Sequence, residues 1–197
     1  MRIKGIIPSK MPLPVGAVIP AHYNIAVGEM YDSFGIVLPR YEDVGFHNDY
    51  TLRLSREPFE IKVWWENDYL WWWKFGRCFW TDFASIPRIL RVAIDNDDNR
   101  VIIPAILHDD LFQGKILDQI YGEGLGFSQA NTLLREALRW YGVKEFMCNR
   151  MYDAVNTSIG KKSYAETIPR EAERRVKFAI LSPEQQQKYN GDESIFN

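Results

Sequence analysis

Three consecutive tryptophans, Trp71-Trp72-Trp73, constrain this chain of 197 residues more than any other feature. Six of the seven tryptophans (Trp64, Trp65, Trp71, Trp72, Trp73 and Trp80) lie between positions 64 and 80. Successive side chains of a strand point to opposite faces, so Trp71 and Trp73 share one face and Trp72 takes the other. An aromatic side chain of this size buries roughly 150–250 Å². At least one face of such a strand therefore needs a second layer, a ligand or a partner.

The neighbouring segments also have the period of strands. Tyr50-Thr-Leu-Arg-Leu54 alternates, and Phe59-Glu-Ile-Lys-Val63 sets its three apolar residues on one face. Glu66-Asn67-Asp68 supplies a turn before Tyr69–Phe75, and Gly76-Arg77 interrupts the pattern before Cys78-Phe-Trp80. The simplest arrangement is an antiparallel meander over residues 50–80.

After Trp80 the period becomes helical. Ser85 is placed to cap a short helix to Val92, with Pro87 in its first turn. Pro104–Phe112 reads as a buried helix, and Gly122-Glu-Gly-Leu-Gly126 as a glycine-rich loop. Ser128 then caps a helix to about Tyr141, with Leu133, Leu134, Ala137, Leu138 and Tyr141 on one face. Another helix is expected from about Lys144 to near Gly160, with Phe146, Met147, Met151, Ala154 and Val155 inward. A charged helix over Pro169–Ile180, a short helix capped by Ser182 with Pro183 in its first turn, and a loose tail from Gly191 complete the chain. The expected fold class is α+β, a small antiparallel sheet packed against a helical C-terminal half. Residues 1–48, with five of the ten prolines, are expected to form an extended, irregular arm with short strands at most. Residues 49–164 form the α+β domain, and residues 165–197 peripheral helices and a tail.

Composition narrows the partners. The 24 basic residues face 26 acidic ones, for a net charge of −2, which gives no electrostatic footprint for nucleic acid. No run of about 20 apolar residues predicts membrane insertion. The prolines at 8, 12, 14 and 20 break any signal-peptide core, so synthesis in a cytoplasm is expected. Cys78 and Cys148 lack metal or redox spacing and read as free thiols.

Two segments can carry chemistry. In Thr81-Asp-Phe-Ala-Ser-Ile-Pro-Arg88, Asp82 is a candidate metal ligand or general base, with Thr81 or Ser85 to orient it; Asp and Ser also cap turns and helices. In His108-Asp109-Asp110, polar side chains interrupt an apolar helix, and burying them costs several kcal/mol unless they are paired or bind a cation. Adjacent helical residues diverge by about 100°, so His108 and Asp109 can flank one site while Asp110 points further round. Histidine with carboxylates suits Zn²⁺, or a harder ion where oxygens dominate. The alternative is a structural pair, with His108 bonded to Asp82. A Ser85–His108–Asp82 triad lacks a nucleophile elbow. The glycine run lacks the lysine of a phosphate-binding loop and reads as a rim or lid near His108.

In this order, Phe79–Arg88, Pro104–Phe112, Ala130–Leu138 and Met151–Val155 with Gly160 resemble the DUF1353 family, small proteins of tailed phages and prophages. The resemblance spans roughly residues 60–162. It implies a phage origin, synthesis in the host cytoplasm with a place in the virion, and partners that are other phage proteins or further copies of the chain. The family pattern carries Ala-Asp in the third motif, where this chain has Ala130-Asn131. Asn131 is then a further metal-ligand candidate through its carbonyl oxygen, beside Asp82, His108 and Asp109. Two functions follow from the resemblance. One is a metal-dependent hydrolase of amide or phosphoester bonds in the host envelope, with Asp82, Ser85, His108 and Asp109 as catalytic residues. The other is a non-enzymatic virion or tail protein, in which the Asp/His cluster is a buried network and the arm and tryptophan block bind subunits.

Overall fold

The Glu66-Asn67-Asp68 turn and the alternation on either side of it build the central hairpin. In the computed structural model, β6 (Phe59–Trp65) pairs antiparallel with β7 (Leu70–Phe75), in a register that sets Ile61 against Trp73 and Val63 against Trp71. Asp68 takes φ 61° to close the turn, and its N–H donates to the Trp65 carbonyl at 2.9 Å. The structure describes residues 1–10, 30–31, 37–38, 41–47, 50–55, 58–75, 80–81, 99–122, 124–166 and 176–196. Asp82, Ser85, Cys78 and the expected Ser85–Val92 helix lie outside them. The fold is α+β, with an antiparallel sheet and helices concentrated in the C-terminal half. The chain forms two compact units, Met1–Trp80 with Arg175–Asn197, and Thr81–Arg174.

In the first unit β1 (Ile3–Lys10) and β9 (Val176–Leu181) flank the hairpin, giving a four-stranded sheet of order β1-β6-β7-β9. Two expectations change here. β1 is an eight-residue strand within the supposed irregular arm, with a register shift between Ile3 and Gly5, and Pro8 is tolerated because β1 is the outer strand of the sheet among the described residues. The helix expected over Pro169–Ile180 is a strand from Val176 onward. There Val176, Phe178 and Ile180 alternate with Lys177, Ala179 and Leu181, and pairing with β7 outweighs the charged composition upstream. The meander also splits. β5 (Tyr50–Ser55) pairs with β4 (Tyr41–His47) in a three-stranded sheet completed by β8 (Trp80–Thr81), while β2 (Met30–Tyr31) pairs with β3 (Val37–Leu38).

The two faces of the tryptophan strand have different neighbours. Trp71 and Trp73 lie with Phe59, Ile61, Val63, Trp65, Phe75 and Phe178 on one buried face. Its rings pack closely, with Trp73 4.6 Å from Phe178 and Trp65 5.0 Å from Trp71 between centroids. On the opposite face Trp72 contacts Tyr189 and Phe196 edge-on, at 5.2 and 5.1 Å. Those rings come from the C-terminal segment, which includes α6 (Pro183–Lys188) and a short 3₁₀ turn (Glu193–Ile195). The tail expected to be loose is the second layer over Trp72. Glu60 joins three strands on this face, accepting from Trp72 Nε1 at 2.9 Å and from Ser9 Oγ at 3.0 Å. The expected Ser182 cap is present as a full capping box with Gln185.

The second unit is helical: α1 (Asn99–Gly114), α2 (Ile116–Tyr121), α3 (Gly126–Trp140), α4 (Glu145–Val155) and α5 (Ser158–Glu166). Residues 101–107 of α1 are buried on every side. The expected inward face of α3 is buried as well. Three local expectations differ. Ser128 does not cap α3; the helix begins two residues earlier, where Asp118 of α2 accepts the Gly126 N–H at 2.7 Å. Phe146 faces outward at 65% exposure, with Arg150 over its ring. Gly160 does not end α4 but lies in the first turn of α5, where its N–H donates to the Thr157 hydroxyl at 3.0 Å.

Candidate functional site

The apolar run of α1 ends at Leu107, and the next three residues are polar. His108 and Asp109 are partly buried, whereas Asp110 is 4% exposed and sits deeper than either. His108 Nε2 lies 3.0 Å from Oδ1 of Asn131, which α3 brings in fully buried. Asn131 Nδ2 donates in turn to Asn156 Oδ1 at 3.4 Å, just beyond the end of α4. On the other side of the imidazole, Nδ1 is 3.6 Å from Asp109 Oδ1. That separation is too long for a hydrogen bond.

An aromatic cluster backs the ring. Phe112, one turn on from His108, has its centroid 5.5 Å away, and Phe112 packs on Tyr164 at 5.1 Å and Phe127 at 6.2 Å. The Tyr164 hydroxyl is buried without a hydrogen-bond partner. Burial, and then the neighbouring Asp118, push its ionisation well above the ordinary tyrosine range. Lys115 stands 5.7 Å over the Tyr164 ring and donates to the Ala165 carbonyl, tying α5 to the α1–α2 junction.

Charge pairs hold α3 to α4. Arg139 binds Glu145 through Nε at 2.7 Å to Oε2 and through Nη2 to Oε1, and also reaches the buried Glu136. The hydrogen bond from Arg139 lowers the Glu145 pKa, and the same bond raises that of Arg139. Cys148, buried in an apolar cluster with Leu134, Leu138 and Met151, is a free thiol that burial pushes up to about 11.

Of the residues singled out in the sequence, the structure thus brings together His108, Asp109 and Asn131. Asp82 and Ser85 lie outside the described residues. Among the described residues, no group of three His, Cys, Asp or Glu side chains could hold a metal ion. The described donors facing one another are one imidazole nitrogen and one carboxylate oxygen, two of the positions that a tetrahedral ion fills. Asn156 carries no signal in the sequence, because it falls inside the helix expected to run from about Lys144 to near Gly160, whereas α4 ends at Val155. No helix among the described residues is long and apolar enough to cross a membrane.

An α+β chain with a histidine–asparagine pair between two helices is the class that this geometry defines. Residues 60–155, just under half of the chain, match the model of a family described as "Protein of unknown function (DUF1353)". The match contains β6, β7 and the helices that carry His108 and Asn131, and it supports the resemblance drawn from the motifs. No curated protein and no solved structure matches the chain.

Proposed function

We propose that this chain is a phage protein with a divalent-metal hydrolase site at His108 and Asp109, acting on amide or phosphoester bonds of the host envelope. The carrying observation is the 3.6 Å between His108 Nδ1 and Asp109 Oδ1. Two ligands about 2.0–2.2 Å from one ion lie that far apart at an angle of about 110–130°, close to tetrahedral. Asp82 is the proposed third ligand, and Ser85 a neighbouring polar group. A bound ion would polarise the scissile carbonyl or phosphoryl oxygen and make a bound water nucleophilic near neutral pH. In this reading the protein is made in the host cytoplasm.

The test is the metal content of the purified full-length protein, read beside its circular dichroism. Near-stoichiometric metal is expected, lost in His108→Ala and Asp109→Ala without loss of fold. A folded, metal-free wild type overturns the proposal.

The Asn131–Asn156 bond favours a second reading, because it closes the network inside the helical unit. There the protein is a non-enzymatic virion or tail component, and the arm and tryptophan block make the contacts to other phage proteins or to a second copy. That reading predicts that His108→Ala strands the Asn131 amide and destabilises the protein by about 1–3 kcal/mol. It also predicts that trimming the arm abolishes assembly.

A further inference from the structure

We infer that Asn131 is a positioning residue, not a metal ligand: it holds His108 in the tautomer that carries its proton on Nε2, and Asn156 fixes which end of the Asn131 amide faces the ring. The Asn131 Nδ2 amide donates to Asn156 Oδ1 at 3.4 Å, so the atom that meets the imidazole at 3.0 Å is Oδ1. A carbonyl oxygen can only accept, and a neutral imidazole has one N–H. The proton therefore sits on Nε2, and the remaining lone pair sits on Nδ1, on the side where Asp109 Oδ1 lies at 3.6 Å.

Full burial of Asn131 makes this arrangement stiff. Water cannot replace Oδ1, and turning the amide over would bring its N–H to the ring and require the Asn156 amide to turn as well. Orientation of a histidine by a hydrogen bond to its far nitrogen is how second-layer groups set which nitrogen ligates or accepts a proton. The sequence expectation that Asn131 ligates an ion through its own carbonyl is thereby replaced, since that oxygen is already engaged.

The inference rests on the His108 site proposed above but not on the ion. Its test is nitrogen-edited NMR of the histidine rings of full-length protein treated with EDTA, at about pH 8.5, above the ordinary imidazole range near 6.5. His22 and His47 are separated from His108 by comparison with His108→Gln. The expected wild-type spectrum shows a protected Nε2–H for His108. In Asn131→Leu its exchange with solvent should be about tenfold faster, the factor that one such hydrogen bond supports. Asn131→Asp, which keeps an acceptor, should retain the protected proton. An Nδ1–H in the wild type overturns the inference, as does an Nε2–H whose exchange is the same in Asn131→Leu. Should Asn131→Leu fail to fold, Asn156→Ala, at an exposed position, takes its place. Faster exchange there supports the inference, and unchanged exchange overturns it. Failure of the metal test alone would leave these spectra as expected.

Discussion

Gly126, at the start of α3, is tightly enclosed. A β-carbon built there would lie 2.2 Å from the Tyr164 hydroxyl, 2.9 Å from Asp118 Oδ1 and 3.1 Å from the Asp118 backbone nitrogen. Ordinary contact begins near 3.4 Å, so Gly126→Ala requires a displacement of about 1.2 Å. Tyr164 cannot swing away, because its ring is held edge-on by Phe112 at 5.1 Å and against Phe127 at 5.7 Å. Overpacking of this kind costs about 1–3 kcal/mol. Losing the 2.7 Å bond from the Gly126 N–H to the Asp118 carboxylate costs about 1.5–3 kcal/mol more. Alanine returns about 1 kcal/mol of helix propensity. The expected net loss is about 3 kcal/mol, which lowers Tm by about 6–12 °C in a chain of this size.

The assay is urea denaturation of four proteins: wild type, Gly126→Ala, Tyr164→Phe and the double variant. The Tyr164 hydroxyl is buried without a hydrogen-bond partner, so Tyr164→Phe should change stability by less than about 0.5 kcal/mol, or raise it. Removing that oxygen also removes the 2.2 Å collision, and Gly126→Ala should then cost at least about 1 kcal/mol less. Rescue should be partial, because the Asp118 contacts remain. Wild-type stability in Gly126→Ala, or an equal cost in both backgrounds, would refute the reasoning.

Four shorter predictions concern the rest of the molecule. Gly160→Ala would place its β-carbon 2.3 Å from the Val155 carbonyl oxygen, a backbone atom that cannot rotate aside; a loss of about 2–3 kcal/mol by urea denaturation is expected, and a change below about 0.5 kcal/mol would contradict it. Phe196→Ala should cost roughly 1.5–2.5 kcal/mol, about half the value for a fully buried ring, and raise acrylamide quenching of tryptophan fluorescence as Trp72 opens; unchanged quenching would mean that the tail does not cover it. In Cys78→Ser protein, Cys148 should resist a thiol reagent at about pH 8 until guanidinium is added, since burial pushes its pKa up to about 11; rapid labelling of the native state would contradict this. The folded pKa of Glu145 is depressed by Arg139, so its stabilisation is present above the unfolded carboxylate value of about 4.3 and lost as pH falls through the folded value. The stability gap between wild type and Arg139→Met should therefore narrow below about pH 4, and a gap that widens there would refute the sign.

Where one local signal dominated, the sequence was a good guide to this fold. The alternation of Phe59–Val63, the turn at 66–68, the apolar face of α3 and the Ser182 cap all appear where expected. The failures share a physical cause, in that a distant segment outweighed a local preference. β9 is charged upstream and reads as helix until the open edge of β7 recruits it. β1 was discounted for Pro8, although an outer strand accepts proline. Ser128 was a good cap by composition, but Asp118, ten residues earlier in the chain, fills that role from another helix. At the site, His108 and Asp109 were legible as polar residues in an apolar helix. Their link to Asn156 was not, because nothing in the spacing of positions 108, 131 and 156 says that three helix segments converge.

The presence of asparagine at 131 bears on the chemistry proposed for His108. A carboxylate at this fully buried position would have to be paired, and a buried ion pair repays its desolvation only with excellent geometry and further hydrogen bonds. The amide presents the same acceptor oxygen to His108 at 3.0 Å without bringing a charge, and its other end is satisfied by Asn156. The histidine therefore keeps its orientation, while the Asp109 carboxylate, 3.6 Å away, stands on the Nδ1 side. An amide where the resemblance leads one to expect an acid is compatible with the histidine orientation inferred above. In the proposed reading the labour is divided: position 131 orients, and an ion or proton would be received on the side of Asp109.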